Sequence, residues 1–250
     1  MSSQSRARYY EEYWGKGIAG WTPKGVTASP MEQALVSRFV RAGSRVLDFG
    51  CGDGSHLGDL AISMQASYLG MDVSQAAVEL CKKKGLNAVH REPDAPFPLE
   101  ENTFDCVVSF EVFEHVADLE LPLLEILRVL TPGGFLVGSV PNSVHLSNRL
   151  LMAVGYFSPG GSPETSLKAP WKDPHIRFFN KKSLLAFLGV MGFRERRVIG
   201  SSFSLVELPI IHRSRGAVRE AIRWASVPVG FLGRLYPNLF SPRLYFIAKK

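Results

Sequence analysis

The stretch Val46-Leu47-Asp48-Phe49-Gly50-Cys51-Gly52-Asp53-Gly54 constrains this 250-residue chain more than any other. An apolar run ends in a carboxylate and then in a bend with glycine at every second position. Continuous apolar runs of this kind form parallel strands buried on both faces. Glycine in the bend lets the backbone take positive φ and approach a ligand with no Cβ in the way. Open α/β sheets bind ligands outside the carboxyl ends of their strands, which is where Asp48 stands. A second strand-like stretch, Ser67-Tyr68-Leu69-Gly70-Met71, ends in Asp72, placed to accept hydrogen bonds from a ribose diol. The pattern predicts a site for a ligand that contains a nucleoside.

Spacing discriminates between two such ligands. A dinucleotide site uses G-x-G-x-x-G, with a helix N-terminus aimed at the pyrophosphate. Here the spacing is G-x-G-x-G, Ser55 occupies the third dinucleotide glycine position, and Asp53 lies inside the bend. A carboxylate there repels a pyrophosphate and welcomes a sulfonium or an α-ammonium group.

Strand and helix alternate beyond this point. Strands are expected near Arg45–Phe49, Tyr68–Met71, Ala88–His90, Phe104–Phe110, Phe135–Val140, Glu195–Ile199 and Leu244–Ala248. Helices are expected near Met31–Arg41, His56–Met64, Ser74–Lys84, Leu119–Leu130, Leu146–Val154 and Lys181–Met191. Ser74 is the predicted N-cap and Gly85 the predicted terminator of the third of these; Thr131-Pro132-Gly133-Gly134 closes the fourth. Tyr9 to Trp14 reads as an aromatic, helical stretch. Such alternation argues a doubly wound α/β sheet with helices on both faces. The expected organisation is an N-terminal helical lid over 1–42, a core over 43–200, and a basic helical insertion with a closing strand over 201–250.

The three cysteines, Cys51, Cys81 and Cys106, have no paired spacing, which points away from a disulfide framework and toward a reducing cytoplasm. No leader-like apolar segment follows Met1, and no uncharged run nears the ~20 residues of a membrane span. From Glu207 onward there are eight Lys/Arg and two Asp/Glu, a balance of +6 equal to the net charge of the whole chain. That is a local basic feature, not a nucleic-acid-binding surface spread over a domain.

The segments "VLDFGCGDG", "YLGMDVS", "FDCVVSFEVFEHV", "EILRVLTPGGFLVGSVPN" and "HIRFFNKKSLLAFLGVMGF" resemble, in order and spacing, the motifs of class I S-adenosylmethionine-dependent methyltransferases. The likeness is greatest to the group that includes ubiquinone-type enzymes and methyltransferases of glycan and natural-product pathways. The resemblance implies a seven-stranded Rossmann-like sheet whose antiparallel last strand is "LYFIAKK", with S-adenosylmethionine as cofactor. It implies that Asp48 and the Gly50-Cys51-Gly52 backbone hold the methionine moiety, and that Asp72 binds the ribose with Val73 beside the adenine. Asp94 and Ala95 would meet the adenine, Phe110 and Glu111 would lie near the methionine portion, and Tyr13 or Trp14 would form a lid. The implied reaction is methylation, on oxygen, of a small-molecule or glycan- or lipid-linked acceptor; nitrogen, carbon or RNA 2′-oxygen acceptors, or a non-catalytic binding module, are the alternatives.

Six histidines are available as general base: His56, His90, His115, His145, His175 and His212. His115 follows the fourth strand and is the first candidate; His145, after the fifth, is the second. The alternative for any of them is a capping or packing role. Glu111, Glu114 and His115 stand at i, i+3 and i+4, a Mg²⁺-binding pattern in some relatives that metal-free ones also carry; no metal is assigned here. Arg215, Arg219 and Arg223 recur every four residues, with apolar bulk from Phe231 to Phe240. The stretch 207–241 is either an insertion capping the acceptor pocket or a basic amphipathic surface for an anionic membrane or an anionic, lipid-linked acceptor.

Overall fold

A computed structural model describes residues 2–16, 27–156, 173–202 and 216–250. Residues 17–26, 157–172 and 203–215, with His212 and Arg215 among them, lie outside the described residues. Seven strands are β1 (Arg45–Phe49), β2 (Ser67–Asp72), β3 (Ala88–His90), β4 (Phe104–Phe110), β5 (Leu130–Pro141), β6 (Arg194–Gly200) and β7 (Arg243–Lys249). They form one sheet in the order β3-β2-β1-β4-β5-β7-β6. β1 runs parallel to β2 and β4, and β2 parallel to β3. β7 is antiparallel to β5: Asn142 N donates to Pro242 O at one end, and Lys250 N to Gly134 O at the other.

The register brings the carboxyl ends of β1 and β2 level, with Phe49 opposite Met71, and sets Asp72 opposite His90. Leu47, Met71, Val107 and Val108 are fully buried, as strands covered on both faces require. The helices are α1 (Ser3–Lys16), α2 (Pro30–Val36), α3 (Gly58–Ser63), α4 (Gln75–Lys83), α5 (Glu120–Val129), α6 (Leu146–Ala153), α7 (Lys181–Val190) and α8 (Gly216–Ala225), followed by the single turns α9 (Leu232–Leu235) and α10 (Pro237–Phe240).

Local chemistry sets the ends of these elements. Ser74 caps α4 by accepting from Ala77 N, and Gly85 follows the helix at φ +80°. α2 begins in a capping box of Ser29 and Glu32. It stops at Val36, short of the predicted Arg41, because Ser37 Oγ donates to Gln33 O and the next N–H groups close tighter i→i−3 turns. α1 begins at Ser3, six residues ahead of the aromatic stretch expected from Tyr9, and β5 starts at Leu130, so Thr131–Gly134 belong to the strand and not to a helix-closing turn. Lys250 Nζ donates to Leu130 O and holds that early start.

Two compact units divide the chain: 1–138 with 188–196 and 247–250, and 139–187 with 197–246. In the first, Glu32 is buried, accepts from Ser29 N (2.7 Å) and pairs with His56, whose Nε2 lies 3.2 Å away, tying α2 to the chain after the glycine bend. The bonds from His56 and Ser29 outweigh the penalty of burial, which is the largest single influence, and hold its carboxyl down to about 2. In the second, Asn142 is buried and its amide donates to Pro237 O (2.9 Å) and Ser241 O (2.6 Å), while its Oδ1 accepts from Val144 N.

Two outcomes follow for stability. Replacing Asn142 by alanine orphans two buried carbonyls and lowers stability by about 2–4 kcal/mol; a melting temperature equal to that of the parent would refute this. Glu32 has a depressed folded pKa, so its contribution is complete above the ordinary glutamate range and lost as pH falls toward 2. The gap between the parent and Glu32→Gln in urea titrations should be about 1–3 kcal/mol at pH 7 and close below pH 3.

Candidate active site

The bend after β1 is stitched to the tip of β2 by main-chain bonds. Gly50 N and Cys51 N both donate to Met71 O, and Gly52 N donates to Asp72 Oδ2 (2.9 Å). Asp72 Oδ1 accepts from Ser74 N (2.9 Å), so one carboxylate fixes both the bend and the entry to α4. Gly50 and Gly52 lie at φ +80° and +53°. A Cβ on Gly52 would stand 2.4 Å from the Trp14 ring, and one on Gly50 2.5 Å from Val112. Dihedral and space both demand glycine at these two positions.

Two acids mark the strand tips. Asp48 is buried and accepts from the Tyr68 hydroxyl (2.9 Å). Burial pushes its carboxyl up to about 6, against the pull of that hydroxyl and of His56. Asp72 is raised as well, burial outweighing the backbone N–H groups and the Arg91 charge that favour its ionised form. An ionised carboxylate offers about four acceptor positions, so Asp72 can hold the bend and still accept from a diol. Val73 is half-buried beside it, its carbonyl 3.0 Å from His90 Nε2.

α1 packs on this edge within the same unit. Glu11 accepts from Ser74 Oγ (2.7 Å) and Ala76 N (3.1 Å), adding a second carboxylate at the start of α4. Arg6 is buried, donates to His115 O (3.3 Å), and lies over the rings of Tyr9 and Tyr10. The Tyr10 ring meets His115 edge-on at 5.6 Å. Trp14 rests on Gly52, with Tyr13 edge-on to it at 5.3 Å. Of the two aromatics named for a lid, Trp14 is the one against the bend.

Phe110 closes β4 and is stacked on His56 at 5.6 Å. Glu111 follows at φ +55°, a conformation that non-glycine residues seldom hold and that concentrates at functional sites. Glu114 is buried, with His115 Nε2 3.7 Å from its Oε1. Asp94 is exposed in the turn after β3, Ala95 is half-buried, and the neighbouring Arg91 lies over the rings of Phe49 and Phe97. In the other unit His145 is the N-cap of α6, its Nδ1 accepting from Ser147 N (3.2 Å). Burial brings its pKa down to about 4, so at neutral pH it is an uncharged cap. His175 is bonded to Asp173 (2.6 Å).

One sequence argument does not survive. Asp53 does not present its charge to a ligand: it accepts from Ser55 N and Oγ and pairs with Lys84 Nζ at 2.5 Å. The negative charge near the bend comes from Asp48 and Asp72. Sequence reasoning also passed over Glu11, the Glu32–His56 pair and the Tyr68 hydroxyl. Only Glu32 carried a local signal, the Ser-x-x-Glu box at 29–32.

A family model for a methyltransferase domain matches residues 47–138. A probable S-adenosylmethionine-dependent methyltransferase of Mycolicibacterium smegmatis is 31% identical over 183 residues, 72% of this chain and 63% of that protein. The 24-methylenesterol C-methyltransferase 3 of Arabidopsis thaliana is 31% identical over 141 residues, 51% of this chain and 39% of that protein. This chain thus spans less than two thirds of the length of these curated relatives. The crystal structure of a SAM-dependent methyltransferase from Archaeoglobus fulgidus has the same fold, with a TM-score of 0.59 at 20% identity over 97% of this chain and 99% of that one. The matched residues are those that build the bend and the strands around it, and residues 47–138 carry a methyltransferase domain of the class I S-adenosylmethionine-dependent type, whose cofactor is S-adenosylmethionine.

Proposed function

We propose that this protein transfers a methyl group from S-adenosylmethionine to an oxygen of a small molecule or of a glycan- or lipid-linked precursor. The observation that carries the reading is the bond from Gly52 N to Asp72 Oδ2, which holds a Cβ-free bend against an acid-tipped strand. Asp72 accepts from the ribose hydroxyls, Val73 flanks the adenine with Asp94 and Ala95, and the Gly50–Gly52 backbone, Phe110 and Glu111 bound the methionine portion. Trp14 covers the bend and excludes water. The cofactor, when bound, supplies an electrophilic methyl on a positively charged sulfur. Holding the acceptor in line with that carbon is the main task, and alignment of this kind is worth roughly 7–11 kcal/mol. His115 takes the acceptor proton, and the buried Glu114 beside it supports the imidazolium that forms. His145, spent as a helix cap, is the weaker candidate for this role.

The C-methylation for which the sterol relative is named favours a second reading, methylation at carbon on an apolar acceptor. No helix among the described residues is long and apolar enough to cross a membrane. The buried free thiols Cys51, Cys81 and Cys106 support a cytoplasmic setting.

Calorimetric titration with S-adenosylhomocysteine tests the cofactor site. Asp72→Ala should weaken binding at least tenfold, and unchanged affinity would sink the assignment. Asp48 carries a raised pKa, so it loses its charge as pH falls through about 6. Affinity for a ligand with a cationic amino-acid portion should drop over that range, and Asp48→Asn should flatten the profile. For methyl transfer, a screen of acceptors with labelled donor should show His115→Ala lowering kcat about 10²–10⁴-fold for an oxygen acceptor. Cofactor affinity should change less than threefold. Label recovered on carbon would replace the first reading by the second.

A further inference from the structure

In the second unit, a nearly continuous helical path leaves a row of large apolar side chains in water. α8 passes through Ser226, whose N and Oγ both donate to Ile222 O, into the turns of Val227–Phe231 and then α9. Trp224, Val227, Phe231 and Leu235 are 76%, 67%, 55% and 62% exposed. Their spacing of three, four and four residues sets them along one side of a helical path. Tyr236 continues the row and is 60% exposed. Soluble surfaces seldom line up large apolar groups in this way without a partner.

The base of the ridge is fixed. Ser226, Gly233 and Pro237 are buried, Pro237 O and Ser241 O receive the Asn142 amide, and Asn238 Oδ1 accepts from Lys181 N. Solvent exposure of the ridge is therefore a property of an anchored element.

The charges beside it define the partner. Arg223, paired with Glu220 at 3.4 Å, and Arg234 are exposed and flank the apolar row, and residues 216–246 contain four arginines and that single acid. A second copy of the chain would bring the same positive charge against it. Single-stranded nucleic acid takes stacking rings, whereas Val227 and Leu235 are aliphatic. An anionic bilayer satisfies both features: phosphate headgroups for the arginines and acyl chains for Trp224, Val227, Phe231 and Leu235. Tryptophan and tyrosine prefer the headgroup boundary itself.

We infer that the Trp224–Tyr236 ridge is a membrane-docking surface that seats this protein on anionic lipid, reached by an in-plane amphipathic segment without crossing the bilayer. The test is co-sedimentation of the full chain with phosphatidylglycerol and phosphatidylcholine vesicles. These contain neither methyl donor nor acceptor, so the result is independent of the reaction proposed above. Binding to phosphatidylglycerol should be at least tenfold stronger than to phosphatidylcholine and should weaken at least tenfold in 0.5 M salt. Trp224→Ser/Phe231→Ser should lose at least tenfold, and so should Arg223→Glu/Arg234→Glu, whose side chains are exposed and leave the fold intact. S-Adenosylhomocysteine affinity should be unchanged in both. No binding of the parent to phosphatidylglycerol at low salt, or equal binding by both ridge variants, would overturn the inference. So would a dimer that the ridge mutations dissolve, in a chain that ignores vesicles.

Discussion

The bond from a glycine N–H on one strand's bend to a buried carboxylate on the next, Gly52 to Asp72, is what the first unit is organised around. It requires Gly52 at positive φ with nothing beyond the backbone, because Trp14 fills the space a Cβ would take. It requires β1 and β2 in parallel register so that Phe49 and Met71 finish level. Asp72 in turn needs the N–H of Ser74, and so the start of α4, to offset the cost of burying a charge. Remove that carboxylate and the bend and the helix entry lose their shared anchor together.

Most of this is legible in the amino-acid sequence. Each predicted strand is present, and every boundary but that of β5 falls within one or two residues, because doubly covered strands leave unbroken apolar runs between glycine and proline turns. The acid-tipped strands announced the bend because only glycine can populate such a turn at every second position. The end of α2 and the start of β5 were misread for one reason. Both are decided by bonds from outside the periodic pattern, the Ser37 hydroxyl in one case and Lys250 in the other.

The charge arrangement was less legible, since it depends on partners distant in sequence. Asp53 has the spacing of a ligand group, yet Lys84, a full helix away, claims it. Glu11 reads as an ordinary exposed acid of a surface helix until α1 docks and brings it to Ser74 and Ala76. Burial of Asp48 beside Tyr68 joins two strands twenty residues apart. Composition and period report which face of an element is apolar; they are silent on which charge meets which.

A consequence emerges from the two raised carboxyls. Burial is the chief cost for both Asp48 and Asp72, and the Asp72 charge adds to it at Asp48. Without a cation the first unit therefore holds its strand tips at a penalty, relieved in part by the Tyr68 hydroxyl and by Arg91. A ligand bearing positive charge removes that penalty as it binds, so part of its affinity is release of strain already stored in the protein. A phosphate-bearing ligand would deepen the same penalty. For the methyl transfer proposed above, the burial of two acids, and not the bend alone, would favour a cationic adenosyl donor.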